Sequence, residues 1–321
     1  MQKINVLIFP CGSENALEIY KSLHRSIHTN IFGASSIDDI GSLVYKNYIG
    51  NVPFIFDKSF NEYFINLIKT YKIDIIFATH DTVQEYLSQN NFNAYLVNGN
   101  KETNEITRNK KLIYELFKNF SWCPFIYDIE TAIYPAISKP NLGQGAQGVY
   151  KCENKSELLL NTSKISDPVI MEYLPGQELT IDCFTDRNRK IISIQPRTRE
   201  KVKAGISMKS CFYSLTSELK EIAKDINKKL IMRGPWFFQV KQNTDGQWKL
   251  LEVSSRTAGT MVAQRAKGVN LPLMAIQDYL GRDLTTIPIP EIRKIERAIY
   301  TKPQFDFVFS TVYIDFDDTI I

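Results

Sequence analysis

The first third of the chain alternates short, nearly uninterrupted apolar runs with stretches of helical periodicity, and this limits its fold more than any other feature. Apolar runs at 4–9, 31–33, 73–78 and 94–97 are separated by amphipathic patterns at 16–23 and 60–68. Strands that are apolar at consecutive positions bury both faces, as parallel strands joined by helices do. The pattern therefore predicts a β-α-β-α-β parallel sheet. Polar turns follow two of these strands, Pro10-Cys11-Gly12-Ser13 and Thr79-His80-Asp81, at the carboxyl ends where open α/β sheets gather ligands.

The composition then changes. Residues 98–109 are rich in Asn and charge, and a domain boundary is expected near Glu105. The stretch 110–120 carries Leu112, Ile113, Leu116 and Phe117 at helical spacing. Beyond it short strands are predicted at 169–173, 178–184, 190–195, 236–240 and 248–253, interrupted by helical patterns at 217–230 and 271–280. This half reads as α+β with antiparallel sheets, and 321 residues exceed what one core usually holds.

Between the halves lies Lys139-Pro140-Asn141-Leu142-Gly143-Gln144-Gly145-Ala146-Gln147-Gly148. Glycines let a backbone approach a polyphosphate and present its N–H groups, and Lys139 adds positive charge at the stem. The glycines also spell G-x-G-x-x-G, which marks a dinucleotide site only between a strand and a helix. Here the β-prone Val149-Tyr150-Lys151-Cys152 follows, so strand, glycine loop, strand reads as a hairpin lid over a nucleotide. An ordinary glycine-rich turn is the plain alternative, and an NAD(P)-dependent oxidoreductase would require a helix after Gly148.

Bulk properties narrow the partners. With 39 basic against 35 acidic side chains the formal charge is +4, too mild and dispersed to argue for nucleic acid, so a small anionic substrate fits better. No apolar run approaches the ~18 residues of a membrane helix. Cys11, Cys123, Cys152, Cys183 and Cys211 are scattered singly, which reads as reduced thiols in a cytoplasmic protein and speaks against a zinc site.

Polar residues at predicted strand ends form a series: Lys110; Lys139 with its glycine loop; Glu172-Tyr173-Leu174-Pro175-Gly176-Gln177-Glu178; Arg197 and Arg199; Gln239 in Phe237-Phe238-Gln239-Val240; and Glu252-Val253-Ser254-Ser255-Arg256. This series, over about 107–282, resembles the ATP-grasp superfamily, closest to the branch around carbamoyl-phosphate synthase large subunits and biotin carboxylase. The resemblance implies a pre-ATP-grasp parallel α/β domain at 1–106, a small lobe with the glycine lid at 107–175 and a C-terminal lobe at 176–300.

It further implies that Lys110, Lys139, Gly143, Gly145 and Gly148 hold nucleotide phosphates. Read alone, Lys110 would be a solvated helix lysine. Glu172, Tyr173 and Leu174 would read adenine along a backbone edge, and Glu178 would touch the ribose. Gln239, Glu252 and Ser254 would hold Mg²⁺, with Ser254 standing where the family usually has Asn; Mg²⁺ accepts hard oxygen donors and keeps several waters. Arg256, with Arg197 and Arg199, would stabilise charge on the transferring phosphoryl group or bind the substrate carboxylate. Without the resemblance, 197–205 is a solvated basic loop.

The tail, Thr311-Val312-Tyr313-Ile314-Asp315-Phe316-Asp317-Asp318-Thr319, resembles the first motif of haloacid dehalogenase-like phosphatases, with Asp315 as nucleophile and Asp317 as general acid. It is expected to be the start of a truncated domain at 301–321, which implies a fused or partner phosphatase. Within this chain it reads more simply as an edge strand with an acidic turn. The reading that joins these observations is a carboxylate ligase using ATP and Mg²⁺ through an acyl phosphate, with a small carboxylate and a nucleophile, an amine foremost, as substrates. A homodimer is common among the proteins it resembles. The alternatives are a regulatory module that binds ATP without turnover and the oxidoreductase.

Overall fold

The computed structural model describes residues 3–298 except 144, 146 and 204, and, of residue 206, the backbone alone. The phosphatase-like motif at 311–319 lies outside the described residues. Five parallel strands form the first sheet in the order Asn47–Ile49, Thr29–Ala34, Ile4–Phe9, Ile75–Ala78, Tyr95–Leu96. Alternation along Ile4–Phe9 sends Val6 and Ile8 into one core with Ala16, Ile19 and Leu23 of the helix Glu14–Leu23. Leu7 and Phe9 enter the opposite core with Phe60, Phe64 and Leu67 of the helix Phe60–Thr70. Both faces are covered, which is why these strands are apolar throughout.

Asparagine side chains at Asn100 and Asn109 cap two short helices in succession, Lys101–Arg108 and Lys110–Phe117. A four-stranded antiparallel sheet follows in the order Ile126–Tyr127, Pro168–Glu172, Ala136–Pro140, Tyr150–Cys152. Its hairpin pairs Ala136 with Cys152 and Ser138 with Tyr150, so the glycine stretch leads from one antiparallel strand into the next. The helix after it starts only at Lys155. The condition for an NAD(P) fingerprint is not met.

The largest antiparallel sheet runs Ile191–Thr198, Glu178–Thr185, Gly234–Gln242, Trp248–Ser254. One face, with Leu179, Ile181, Phe238, Val240 and Leu250, packs on Leu219, Ile222 and Ile226 of the helix Ser217–Lys229 and on Ile113 and Phe117. From the other face Phe184 and Phe237 join the core shared by Ala16 and by Met274 and Ile276 of the helix Leu271–Tyr279. The first sheet's helix and the large sheet thus meet across a common core. The strand predicted to stop at 195 continues through Pro196 to Thr198; Pro196 offers no N–H, but the strand lies at the sheet's edge, where none is needed on one side. A three-stranded sheet of Lys201–Lys203, Ile206–Cys211 and Lys294–Glu296 was not expected from the sequence pattern. Among the described residues no helix is long and apolar enough to cross a membrane.

Candidate functional site

The site grows out of strand register. Arg197 pairs with Thr180, Thr180 with Gln239, and Gln239 with Glu252, so four polar residues form one row across the large sheet. Their neighbours Leu179, Phe238, Val240 and Val253 point into the helix-backed core, so the row faces away from it. Glu252 would share a face with Leu250 in a regular strand, since the two are two residues apart. A bulge after the Gln239 pair, which leaves Leu251 extra, lets Leu250 stay in the core while Glu252 turns to the row.

Among the described residues, the Gln239 amide and the Glu252 carboxylate have no hydrogen-bond or ion-pair partner. Thr180 Oγ1 and Arg197 Nη1 in the same row are buried without one. Arg197 is otherwise held inside the fold. Its Nε and Nη2 donate to Asp182 at 2.8 and 3.2 Å, and Gln264 donates to the same carboxylate.

Above the row stand the two lysines. Lys139 Nζ donates to Tyr114 Oη at 2.7 Å, and Tyr114 in turn donates to the Leu251 carbonyl at 2.7 Å. Burial, then the charge of Lys110, pushes the Lys139 ammonium down to about 7, against the opposing pull of Glu252 and Glu178. Burial also lowers Lys110, with Glu252 and Asp81 pulling the other way. Lys110 Nζ donates to the carbonyls of Gly143 and Asn141 at 3.0 and 3.2 Å and so ties the helix start to the glycine turn. It is not a solvated helix lysine. Within that turn Gly145 and Gly148 have φ of 58° and 68°, the left-handed region that glycine reaches without strain.

Glu172, at the end of its strand, accepts from the Phe125 N–H at 2.8 Å, and Lys151 lies 4.5 Å from the centre of the Tyr173 ring. Leu174 is buried. Glu178 forms an ion pair with Arg199 at 2.6 Å, and Arg199 Nη2 donates to the Gly205 carbonyl. The segment read as a solvated basic loop is therefore anchored at both arginines. No contact between described residues joins Arg199 to Arg256.

Arg256 instead meets the first sheet. Its Nε and Nη2 donate to Asp81 at 2.9 and 2.8 Å, and Ser254 Oγ donates to Asp81 at 3.0 Å. Burial works against ionisation of Asp81, but the Arg256 charge and these donors outweigh it and hold the carboxyl down to about 2. Asp81 opens the helix Asp81–Ser88 directly after a parallel strand, so the turn that the sequence marked supplies a charge to the second half of the chain. Tyr114 and Asp182 were not legible as site neighbours, and the turn holding Asp81 was marked as a ligand-gathering strand end but not as a partner of Arg256; Tyr114 lies one helical turn beyond Lys110, a spacing that signals only a shared helix face.

Mg²⁺ prefers oxygen donors. Glu252 and Gln239, directly opposed and without partners, offer a carboxylate and an amide oxygen, with the Ser254 hydroxyl two residues on. The donor set fits that ion, while no cluster of three His, Cys, Asp or Glu able to hold a metal occurs among the described residues.

Residues 164–302 match the family described as ATP-grasp in the biosynthetic pathway with Ter operon. No curated protein matches the chain. Solved structures share its fold. The biotin carboxylase domain of 2-oxoglutarate carboxylase from Hydrogenobacter thermophilus aligns over 91% of this chain and 73% of its own, with TM-score 0.73 and 15% identity. L-amino acid ligase from Bacillus licheniformis aligns over 87% and 75%, with TM-score 0.70 and 17% identity. N5-carboxyaminoimidazole synthetase from Staphylococcus aureus, complexed with ADP, aligns over 90% and 79%, with TM-score 0.69 and 14% identity. At these identities the likeness is one of fold, and the mixed parallel and antiparallel architecture is that of the ATP-grasp neighbours.

Proposed function

We propose that this ATP-grasp superfamily protein is an ATP-dependent carboxylate ligase, with the carbamoyl-phosphate synthase and biotin carboxylase branch as its nearest motif resemblance. The observation that carries the reading is the row of Gln239 and Glu252 without partners beneath two lysines whose charge burial has weakened. Such a place favours a ligand that is strongly anionic and brings a cation. MgATP is both, and solved neighbours hold MgADP or ADP.

Lys110 and Lys139 would bind phosphate oxygens by charge-assisted hydrogen bonds, and the turn at Gly143, Gly145 and Gly148 would add backbone donors. Glu172 already engages Phe125 through both its main chain and its carboxylate, so reading of adenine falls to the main chain at Tyr173 and Leu174. Glu178 would take the ribose, exchanging its Arg199 partner for hydroxyls. Glu252 and Gln239, with Ser254, would hold Mg²⁺, which when bound neutralises charge on the phosphates.

In the reaction a substrate carboxylate oxygen attacks the γ-phosphorus and the bond to ADP breaks. An amine then attacks the carbonyl carbon of the acyl phosphate, loses a proton, and phosphate leaves. Arg256 would face charge on the acceptor side, and positioning with electrostatics would do the rest without a protein nucleophile. Calorimetry with a non-hydrolysable ATP analogue, with and without Mg²⁺, tests this. Binding that requires Mg²⁺ and weakens at least tenfold in Glu252→Ala is expected, and no binding by the wild type would sink the reading.

A second reading rests on Ser254, whose hydroxyl proton is committed to Asp81. A chain weakened there as a metal site would bind ATP without turnover. In that case no carboxylate and amine pair yields ADP, and Ser254→Asn does not create the activity.

A further inference from the structure

We propose that the carboxylate substrate is an α-amino acid bound as its zwitterion, Arg256 holding the carboxylate and Asp81 the ammonium group. This rests on the ligase reading for its consequence, but the geometry argues it separately. Asp81 and Arg256 come from different halves of the chain and meet where the helix after the fourth parallel strand reaches the end of the large sheet. Their side chains are 24% and 19% exposed, so solvent and small ligands reach both.

The Nε–Nη2 fork of the guanidinium is engaged, and three of its five N–H groups donate. Nε and Nη2 grip Asp81, and Nη1 donates to the Thr257 carbonyl at 3.2 Å. A ligand carboxylate that takes the fork must therefore displace Asp81. Once displaced, Asp81 keeps the Ser254 hydroxyl as its recorded hydrogen bond, with the adjacent His80 near enough to act on its charge. A half-buried carboxylate left with one neutral donor is costly. Lys110, near enough to influence Asp81, is held by the carbonyls of Gly143 and Asn141.

The ligand must then bring a replacement cation. Bicarbonate and simple carboxylates bring only negative charge and leave Asp81 stranded. A zwitterion exchanges one ion pair for two of matching sign, because its ammonium donates to Asp81 while its carboxylate occupies Arg256. Next in the chain to Arg256, Thr257 Oγ1 is buried with no partner among the described residues. An ammonium so paired stays protonated, so the bound amino acid is the carboxylate partner and the attacking amine comes from a second molecule.

The test uses the whole chain and three probes: a pool of the common L-amino acids, the pool of their desamino carboxylates, and bicarbonate. Thermal protection is read without nucleotide, and ADP release is read with MgATP. Amino acids should protect and stimulate at least tenfold more effectively than the desamino pool. In Asp81→Asn the KM for the best amino acid should rise at least tenfold while that for its desamino analogue does not, and Asp81→Glu should recover part of the loss. ATP binding by each variant, measured by calorimetry, checks that its nucleotide site is intact.

Equal or better performance by desamino carboxylates or bicarbonate, no response to amino acids in either readout, or a preference that survives Asp81→Asn each overturns the inference. Amino-acid protection without any ADP release would refute the ligase reading and leave the zwitterion site standing.

Discussion

Replacing Lys139 by Met tests the electrostatic core of the site. The ammonium falls from its ordinary 10.5 to about 7 in the folded chain, chiefly through burial. Below pH ~7 the lysine is charged in both states, so the folded state carries the whole cost of burying that charge, ~5 kcal/mol for a shift of this size. As pH rises through 7 the folded form releases the proton while the unfolded chain keeps it up to 10.5, and stability climbs across that window. Between pH 7 and 9 the climb is about 2 kcal/mol from this residue. Lys139→Met removes the climb. At pH 7 it should also stabilise the chain by about 2–3 kcal/mol, after allowing ~1–2 kcal/mol for the lost hydrogen bond to Tyr114. Urea unfolding of both proteins at pH 7 and pH 9 measures this. A variant as pH-dependent as the wild type, or less stable at pH 7, would refute the reasoning. Nucleotide binding at pH 8 should take up close to one proton at Lys139 in the wild type, and that uptake should vanish in Lys139→Met, read by calorimetry in buffers of different ionisation enthalpy.

Three further substitutions separate site from scaffold. Gly148→Ala forces an L side chain into φ of 68° and brings its Cβ within 2.9 Å of Pro140; at ~1–2 kcal/mol this should weaken ATP binding about 5- to 30-fold by calorimetry. Gly246→Ala, at φ of 77° with open space around it, should leave that affinity unchanged. Asp182→Ala strands Arg197, which is 2% exposed, and should cost ~3–5 kcal/mol in chemical denaturation, whereas a loss below ~1 kcal/mol would show that Arg197 finds another partner.

The parallel sheet was legible because both-face burial leaves unbroken apolar runs, as in Ile4–Phe9 and Ile75–Ala78. Gln239 and Glu252 were legible because a polar residue interrupts an apolar strand at each, and Lys139 because it stands at the stem of the glycine stretch. The Asp81–Arg256 pair was not, because its members are 175 residues apart and, although each segment was marked separately, nothing in the sequence joins the two. Nor was the anchoring of Arg197, since Asp182 sits in a strand where a carboxylate reads as one polar position among several, and only the register across to the edge strand reveals the pair.

The bulge at Leu251 shows why the elements proposed to hold the metal and the phosphates cannot be read separately. The extra residue turns Glu252 out of the core, and the Leu251 carbonyl accepts from Tyr114. Tyr114 accepts from Lys139, the residue at the stem of the glycine turn. One short relay therefore links the strand that would hold the cation, the helix begun by Lys110 and the lid strand that would hold the phosphates. A slip of one residue in the Trp248–Ser254 strand would move Glu252 into the apolar core and Leu250 out of it, and would take the acceptor away from Tyr114 as well. The register is thus selected by the hydrophobic core, but its consequence is the alignment of charge on the opposite face. That alignment explains how the row can keep Gln239 and Glu252 without partners: the core side of the same strands supplies the stability that the site side gives up.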